Sequence, residues 1–400
     1  MSKSPIDRAP PCQMPLIATD WLYTNEGNEN MVFAYTGTDE TLRGWLLRLT
    51  KSPVGKCTDI PEHQQLHYKQ DSIGYTKQVI GSLIGSEYIL PQRLVSVTKE
   101  FITALGGLAE DSRPSHRKHR QIDAGQRIAV VTPNMIGPGI LTVEVKPKWG
   151  YLPNAEQISA ATQVKHTVCR YCMHQRLKHT ERISGFCPLD LYSNDQQRVL
   201  QALGHLAESP QNNLRVFADG QQMELPNGKT IDWKKTSKEI ARVLEHEGLL
   251  LRLKQLQQRL DRFDIEGVFP MYQRAQSDGI FVGGQPDIGD WVEAERRFLA
   301  RADADVCSDK QAVLEFLLAT TLKDISVLIQ LASSDAAADQ PGTGVVPWKT
   351  ASVAGQHVRY RMVIIDADPK KLSKLPDYLA KDQEIVLNYL QVGEDRRCVE

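Results

Sequence analysis

Several groups of side chains in this sequence have the types and spacing that chemistry needs. In Thr142-Val-Glu-Val-Lys-Pro-Lys148, strand alternation puts Val143 and Val145 on one face and Glu144, Lys146 and Lys148 on the other. One carboxylate and two ammonium groups then share a surface, which is either a wall facing phosphate or an exposed strand face with screened ion pairs. Asp324 interrupts an apolar segment and Asp366 ends the apolar strand Met362–Ile365. A carboxylate at such a place serves as a metal ligand or base, or merely starts a turn. Lys370, Lys374 and Tyr378 have the four-residue spacing of one helix face, a phosphate grip or a solvated basic stripe. Asn213 and Arg215, two apart in an extended segment, aim their donors the same way, and Gly27 lies in a polar turn, Asn25–Asn30. His166, Cys169, Cys172 and Cys187 are four possible ligands for tetrahedral zinc, with His174 a competing imidazole; the alternative is ordinary buried thiols.

These groups need elements to hold them. Trp21–Thr24, Met31–Tyr35 and Gly44–Leu49 read as antiparallel strands joined by Gly- and Asn-containing turns. Residues 94–108 have helical periodicity, and 111–126, with Arg113, Arg117, Lys118 and Arg120, reads as a loop. Strands at 127–131 and 140–148 flank a Pro- and Gly-rich bend, so the division falls there, into 1–134 and 135–400. Beyond it helices are expected at about 160–178, 194–207, 236–262 (with Thr236 and Glu239 at capping-box spacing) and 309–319, then a loop at 332–344 and a last strand at 357–366. The class is α+β, with an antiparallel sheet in the first lobe and a larger, mostly helical second lobe.

At 400 residues the chain exceeds what one core usually serves. Its 48 basic and 49 acidic residues nearly cancel, so no pervasive positive surface for nucleic acid is expected and any basic site must be local. No apolar run approaches bilayer-spanning length and the first residues lack a secretory signal's apolar stretch; no membrane partner is expected and the protein reads as intracellular. There its seven cysteines are thiols or metal ligands rather than a disulfide framework.

Taken in order, Glu144–Pro153, Val168–Lys178, Cys187–Ser193, Asn212–Arg215, Asp264–Pro270, Lys323-Asp324 and Ile365–Lys370 resemble inositol-pentakisphosphate 2-kinases. The E-x-K-P-K block is that family's signature, and the resemblance runs from about Trp21 to Val386. It implies a divergent two-lobed, kinase-like inositol phosphate kinase fold. It also implies transfer of the ATP γ-phosphoryl group, with Mg²⁺, to the axial 2-hydroxyl of inositol 1,3,4,5,6-pentakisphosphate, giving the hexakisphosphate (phytate).

By that resemblance Gly27, Asn28, Asn30, Arg48, Asn134, Glu144 and Asp366 serve the nucleotide. Because the turn has a single glycine, Asn28 is expected to supply a left-handed conformation. Arg113, Lys146, Lys148, Arg170, Asn213, Arg215, Lys370, Lys374 and Tyr378 hold the substrate, which orders the loop 111–126. Asp324 is the catalytic carboxylate with Lys146 beside it, and Asp324 and Asp366 hold magnesium. A structural zinc on His166, Cys169, Cys172 and Cys187 would aim Arg170. A monomer in nucleus and cytosol is implied. No H-R-D, D-F-G or G-x-G-x-x-G signature of protein kinases is present. The rival reading is a non-catalytic scaffold that binds inositol phosphates or RNA; two carboxylates facing the ligand argue against it.

Overall fold

The computed structural model describes residues 10–137, 139–178, 183–225, 231–281, 284–302, 307–332, 346–353 and 356–400. The loop expected at 332–344 lies, apart from Ala332, outside them. In chain order the elements are β1 (Trp21–Glu26), β2 (Asn30–Tyr35), β3 (Trp45–Pro53), α1 (Glu62–Gly74), α2 (Gly81–Ile84), β4 (Arg93–Ser96), α3 (Lys99–Ala109), β5 (Arg120–Ile122), β6 (Ile128–Pro133) and β7 (Leu141–Val145). There follow α4 (Arg170–Lys178), α5 (Pro188–Leu191), α6 (Gln196–Glu208), β8 (Leu214–Ala218), β9 (Gln221–Met223), α7 (Trp233–Glu247), α8 (Leu249–Leu260), α9 (Asp264–Ser277) and α10 (Ile288–Ala300). The last are α11 (Asp309–Leu322), β10 (Ser326–Leu331), β11 (Lys349–Val353), β12 (Gln356–Ile365) and α12 (Leu375–Val392).

The chain forms two compact units. The first takes in the described residues up to Gly74, then Leu90–Gly139 and residues 346–347; the second holds Tyr75–Ile89 and the rest. Residues 75–89, which a single cut at 134 assigns to the first lobe, thus pack in the second unit. Within the first unit an antiparallel sheet runs β1-β2-β3-β6-β4, with β5 added on β3. Alternate residues of β2 and β3 are buried. Met31, Phe33, Leu47 and Leu49 form a core with Phe101, Ile102 and Leu105 of α3, each such side chain contributing roughly 1.5–3 kcal/mol by leaving water. The second unit is built on an antiparallel sheet ordered β11-β12-β10-β7-β8-β9. β10 is its central strand, buried at every position, and α11 is buried on almost every side.

Four elements differ from the sequence reading. Residues 93–96 form a strand on β6, and the helix starts at Lys99, because β-branched Val95 and Val97 suit the sheet and the Thr98 hydroxyl accepts from Phe101 N as N-cap. The stretch 111–126 holds two 3₁₀ turns and β5 rather than a plain loop. The expected helix 160–178 is a 3₁₀ turn, Gln163–His166, followed by α4 from Arg170. The expected helix 236–262 is two: α7, capped by Asp232 rather than Thr236, ends at Gly248, whose φ of 62° is left-handed, and α8 restarts after it. Among the described residues no helix is long and apolar enough to cross a membrane.

Candidate active site

Charged residues singled out in the sequence gather at the end of the second unit's sheet where β7 ends and β10 begins. Glu144 on β7 lies opposite Leu328 on one side and Arg215 on the other. Past the strand, Lys146 N donates to Asn213 O at 2.9 Å. Lys148 is left-handed, with φ 62°, a conformation that costs a non-glycine residue roughly 1–2 kcal/mol. It is held there because its carbonyl accepts from Tyr192 OH and from Gln257 Nε2, both at 3.1 Å. Gln257, fully buried on α8, also accepts from Gly150 N at 2.9 Å and donates to Leu322 O at 3.1 Å, two residues before Asp324. Gly150 is required: a Cβ there would lie 2.7 Å from the Tyr192 ring. Asp366, just beyond β12, is also left-handed, with φ 63°. Two strained charged residues at strand ends mark a place where geometry overrides local preference.

These backbones bring five charges together. Lys146 Nζ donates to Asp366 Oδ2 at 2.7 Å and to the Asp324 carbonyl at 3.4 Å. Lys370 Nζ meets Asp324 Oδ2 at 2.7 Å, and Lys148 Nζ lies 3.7 Å from Asp324 Oδ1. Burial opposes ionisation of Asp324, but Lys370, Lys148 and Lys146 outweigh it and hold the carboxyl below its ordinary range. Burial likewise works against the Lys146 ammonium, and Asp366, Asp324 and Glu144 overcome it, so this lysine titrates above its ordinary value. Lys148 goes the other way: burial and the neighbouring ammonium groups of Lys146, Lys178 and Lys370 push it down against the pull of Asp324. The carboxylates of Asp324 and Asp366, both about half exposed, are the hard oxygen donors that magnesium takes.

A cavity of about 450 Å³ opens beside them within the same unit. Lys146, Lys148, Arg170, Asn213, Asp324, Lys370 and Tyr378, all expected from the sequence, line it. So do groups to which the sequence reading gave no substrate role: Trp149, Tyr171, His174, Lys178, Lys323 and Asp382. The signal for two of them was legible, since His174 and Lys178 follow Arg170 at four-residue intervals along α4. His174 is pushed down to about 4 by burial and by Arg170, Lys178, Lys381 and Lys148. Asn213 donates to Tyr171 OH at 2.8 Å. Burial, then Asp324 and Asp377, raise the Tyr378 phenol.

Two expected substrate residues of this unit stand elsewhere. Arg215 does not line the cavity and sits 3.6 Å from Glu144. Lys374 is exposed and pairs with Asp377, because the helix begins only at Leu375 and the four-residue stripe from Lys370 is broken by a 3₁₀ turn.

In the first unit the Arg113 guanidinium is engaged by neighbouring groups. It is buried, with its Nε and Nη2 on the Glu26 carboxylate at 2.8 and 3.2 Å and Nη2 also on the Arg117 and Arg120 carbonyls. Arg117 Nη1 donates to Asn28 Oδ1 at 2.6 Å, and Arg120 reaches Glu29 at 3.2 Å. Three arginines of one segment therefore brace the β1–β2 turn. Gly27 N donates to Asn30 O at 2.9 Å. Neither Gly27 nor Asn28 is left-handed, so the expected role of Asn28 as a left-handed substitute is corrected: the turn closes without one. A Cβ on Gly27 would meet nothing within 4 Å. Arg48 lies on β3 opposite Val32 and Val130, and Asn134 Oδ1 accepts from Ile136 N at 2.9 Å.

A sequence profile described as inositol-pentakisphosphate 2-kinase matches residues 23–384. The chain belongs to the inositol-pentakisphosphate 2-kinase family. It is 28% identical to the inositol-pentakisphosphate 2-kinase IPK1 of rice (Oryza sativa subsp. indica), over 94% of this chain and 95% of the relative. It is 28% identical to the inositol-pentakisphosphate 2-kinase of Arabidopsis thaliana, over 93% of each, and 25% identical to that of Danio rerio, again over 93% of each. The antiparallel sheets and many helices of its two units agree with the two-lobed, kinase-like α+β fold of this family of phosphotransferases.

In this member of the inositol-pentakisphosphate 2-kinase family the thiols on the far side of α4 also converge. The Sγ atoms of Cys169, Cys172, Cys187 and Cys398 all lie within 4.8 Å of one another, and Cys169 and Cys187 are 3.8 Å apart. A tetrahedral zinc with bonds of about 2.3 Å has sulfur–sulfur edges of about 3.8 Å, so the set fits that ion. The fourth group is Cys398, not His166. His166 lies on the 3₁₀ turn before α4, with its ring on the Pro153 carbonyl at 2.9 Å, so the helical stripe that would have aimed it at the cysteines does not exist. Cys398 was missed because no local spacing connects it to the others; its N–H bond to Thr167 O at 2.9 Å brings the C-terminal segment alongside.

Proposed function

We propose that this chain transfers the γ-phosphoryl group of ATP to the 2-hydroxyl of inositol 1,3,4,5,6-pentakisphosphate, giving the hexakisphosphate. The observation that carries the reading is Asp324 on the wall of a cavity otherwise rich in cations, beside Asp366 and tied to it through Lys146. A crowded polyanion needs preorganised cations to enter. Lys148, Arg170, Lys178, Lys370 and the hydroxyl of Tyr378 supply donors for its phosphates, and Asn213 fixes the wall between them.

Asp324 accepts a hydrogen bond from the attacking hydroxyl and orients it. Held ionised by Lys370, Lys148 and Lys146, it is a weak base, so it takes the proton late, as the hydroxyl oxygen bonds to phosphorus. Lys146, held by the Asp366 carboxylate and the Asp324 carbonyl, stabilises charge on the oxygens of the transferring group. Asp366 and Asp324 would hold magnesium, which neutralises charge on the γ-phosphate. Gly27, Asn28, Asn30, Arg48, Asn134 and Glu144 are assigned to the nucleotide, and the open space around Gly27 lets a phosphate approach the turn. Cys169, Cys172, Cys187 and Cys398 would hold a structural zinc ion that fastens α4, which carries Arg170 on its other side.

The test is incubation of the purified chain with MgATP and inositol 1,3,4,5,6-pentakisphosphate. Hexakisphosphate is expected, and Asp324→Asn should lower kcat by about 10²–10⁴ while leaving pentakisphosphate binding measurable. Absence of product with the parent protein, or undiminished turnover in the variant, would refute the assignment.

A further inference from the structure

Arg170 reaches the cavity from the first turn of α4, and two groups from other parts of the chain fix it there. Its Nη1 donates to Asp382 Oδ1 on α12, and its guanidinium carbon lies 5.4 Å from the centroid of the Trp149 ring. The same indole receives the Lys323 ammonium at 3.7 Å. Asp382 is in turn locked. Its Oδ2 accepts from Lys165 Nζ at 2.9 Å, and that ammonium also reaches Asp264 at 2.5 Å and Glu266 at 2.9 Å. An ammonium has three donors, and all three are engaged. The Lys165, Asp264 and Asp382 side chains are 3%, 3% and 6% exposed, so none of them moves without stranding a buried charge.

A carboxylate on the wall of an anion-binding cavity is a liability unless something cancels it. Asp382 is bonded on one oxygen to Lys165 and on the other to Arg170, so its charge is balanced on both sides. Arg170 commits one N–H to Asp382 and, with five donors in a planar fork, keeps others for a ligand. Asp382 and Trp149 together restrict a side chain that otherwise has many rotamers.

We propose that Asp382 is a positioning residue for phosphate recognition, fixing Arg170 against Trp149 so that the guanidinium meets a substrate phosphate without reorganising. The inference rests on the kinase reading above, deepens it by naming what aims one of its cations, and follows the general gain from preorganisation.

A double-mutant cycle on the full chain tests it. Arg170→Ala, Asp382→Asn and the double variant are compared with the parent by steady-state kinetics. Titration calorimetry with inositol pentakisphosphate runs in parallel, so that a parent without turnover strikes the kinase reading alone while the cycle still bears on Asp382. Asp382→Asn is expected to raise the pentakisphosphate KM and Kd about ten-fold, the worth of one charge-assisted hydrogen bond. The ATP KM should stay unchanged, and no further loss should appear in the Arg170→Ala background. A ten-fold loss that persists without Arg170, or an equal loss for ATP, would overturn the proposal, since either outcome is what a merely structural ion pair would give. Should Asp382→Asn fail to fold, Asp382→Glu keeps a charge for Lys165 while displacing the carboxylate from Arg170, and the same cycle with the same criteria applies.

Discussion

Asp264 and Asp324 show how environment sets two aspartates of one unit apart. Three ammonium groups keep Asp324 ionised. Asp264 is buried beside Asp261 and Asp382, and burial first, then those two charges, push it up to about 6 despite Lys165. A carboxyl whose folded pKa lies above its unfolded one stabilises the fold most when protonated. That contribution is complete below the unfolded value and is lost as pH rises through the folded one. With a shift from 3.8 to about 6 the loss is at most about 3 kcal/mol. Glu26, Glu247 and Glu266 are shifted down and give the opposite slope at lower pH, so the comparison has to be internal. Asp264→Asn keeps the shape and tolerates the φ of 55° found there. Denaturant melts at pH 4.5 and 7 should show the parent losing stability relative to this variant as pH rises. Parallel curves would show that Asp264 does not titrate in this window. At this scale the sequence was most legible where charge sits close to a strand end: Lys146, Lys148, Asp324, Asp366 and Lys370 meet as their positions suggested. It was least legible for Gln257 and Asp382, whose partners lie far along the chain and leave no local pattern.

At the scale of elements, α4 works on two sides. Arg170, His174 and Lys178 line the cavity, while Cys169 and Cys172 meet Cys187 and Cys398. The C-terminal segment is tied to the same region by Arg176 on Glu394, by Arg198 on the Val399 carbonyl and by Glu400 on Leu152 N and Lys254. A zinc ion on the four thiols would join these contacts into one cooperative piece, and structural zinc commonly contributes several kcal/mol to folding. Metal analysis of the purified protein should therefore find about one zinc per chain. Cys398→Ser should lower that content and the melting temperature, whereas His166→Ala should leave the metal in place. Zinc lost in the histidine variant and kept in Cys398→Ser would restore the His166 ligand set.

Helix ends obey the same local rules. Gly248 divides α7 from α8 because its left-handed φ satisfies the end of one helix and turns the chain into the next, so Gly248→Ala should cost about 1 kcal/mol in a denaturant titration. Hydrophobic periodicity alone joined these helices, since the apolar positions continue on both sides of the glycine. Strands β1 to β3 were legible for the converse reason: burial alternates through β2 and from Trp45 to Lys51 of β3, and turns bound them.

For the whole molecule the decisive quantity is where charge sits rather than how much there is. The chain carries a net charge of −1, yet the cavity is lined by Lys146, Lys148, Arg170, Lys178, Lys323 and Lys370 against Asp324 and Asp382, a local excess of four positive charges. His174 adds nothing at neutral pH because it is held near 4. A nearly neutral body adds little long-range attraction, so in the kinase reading capture of a polyphosphate rests on local cations such as these, felt over a Debye length of about 10 Å at 0.1 M salt. The pentakisphosphate KM should therefore rise several-fold between about 50 and 200 mM salt, and its slope on salt should flatten when a cavity cation is removed, as in Lys148→Ala. Removing an exposed cation outside the cavity, Arg296, which pairs with Glu293 on α10, should leave the slope as it was. If Lys148→Ala and Arg296→Ala changed the salt dependence equally, the attraction would belong to the surface as a whole and the cavity would lose its claim to the substrate's charge.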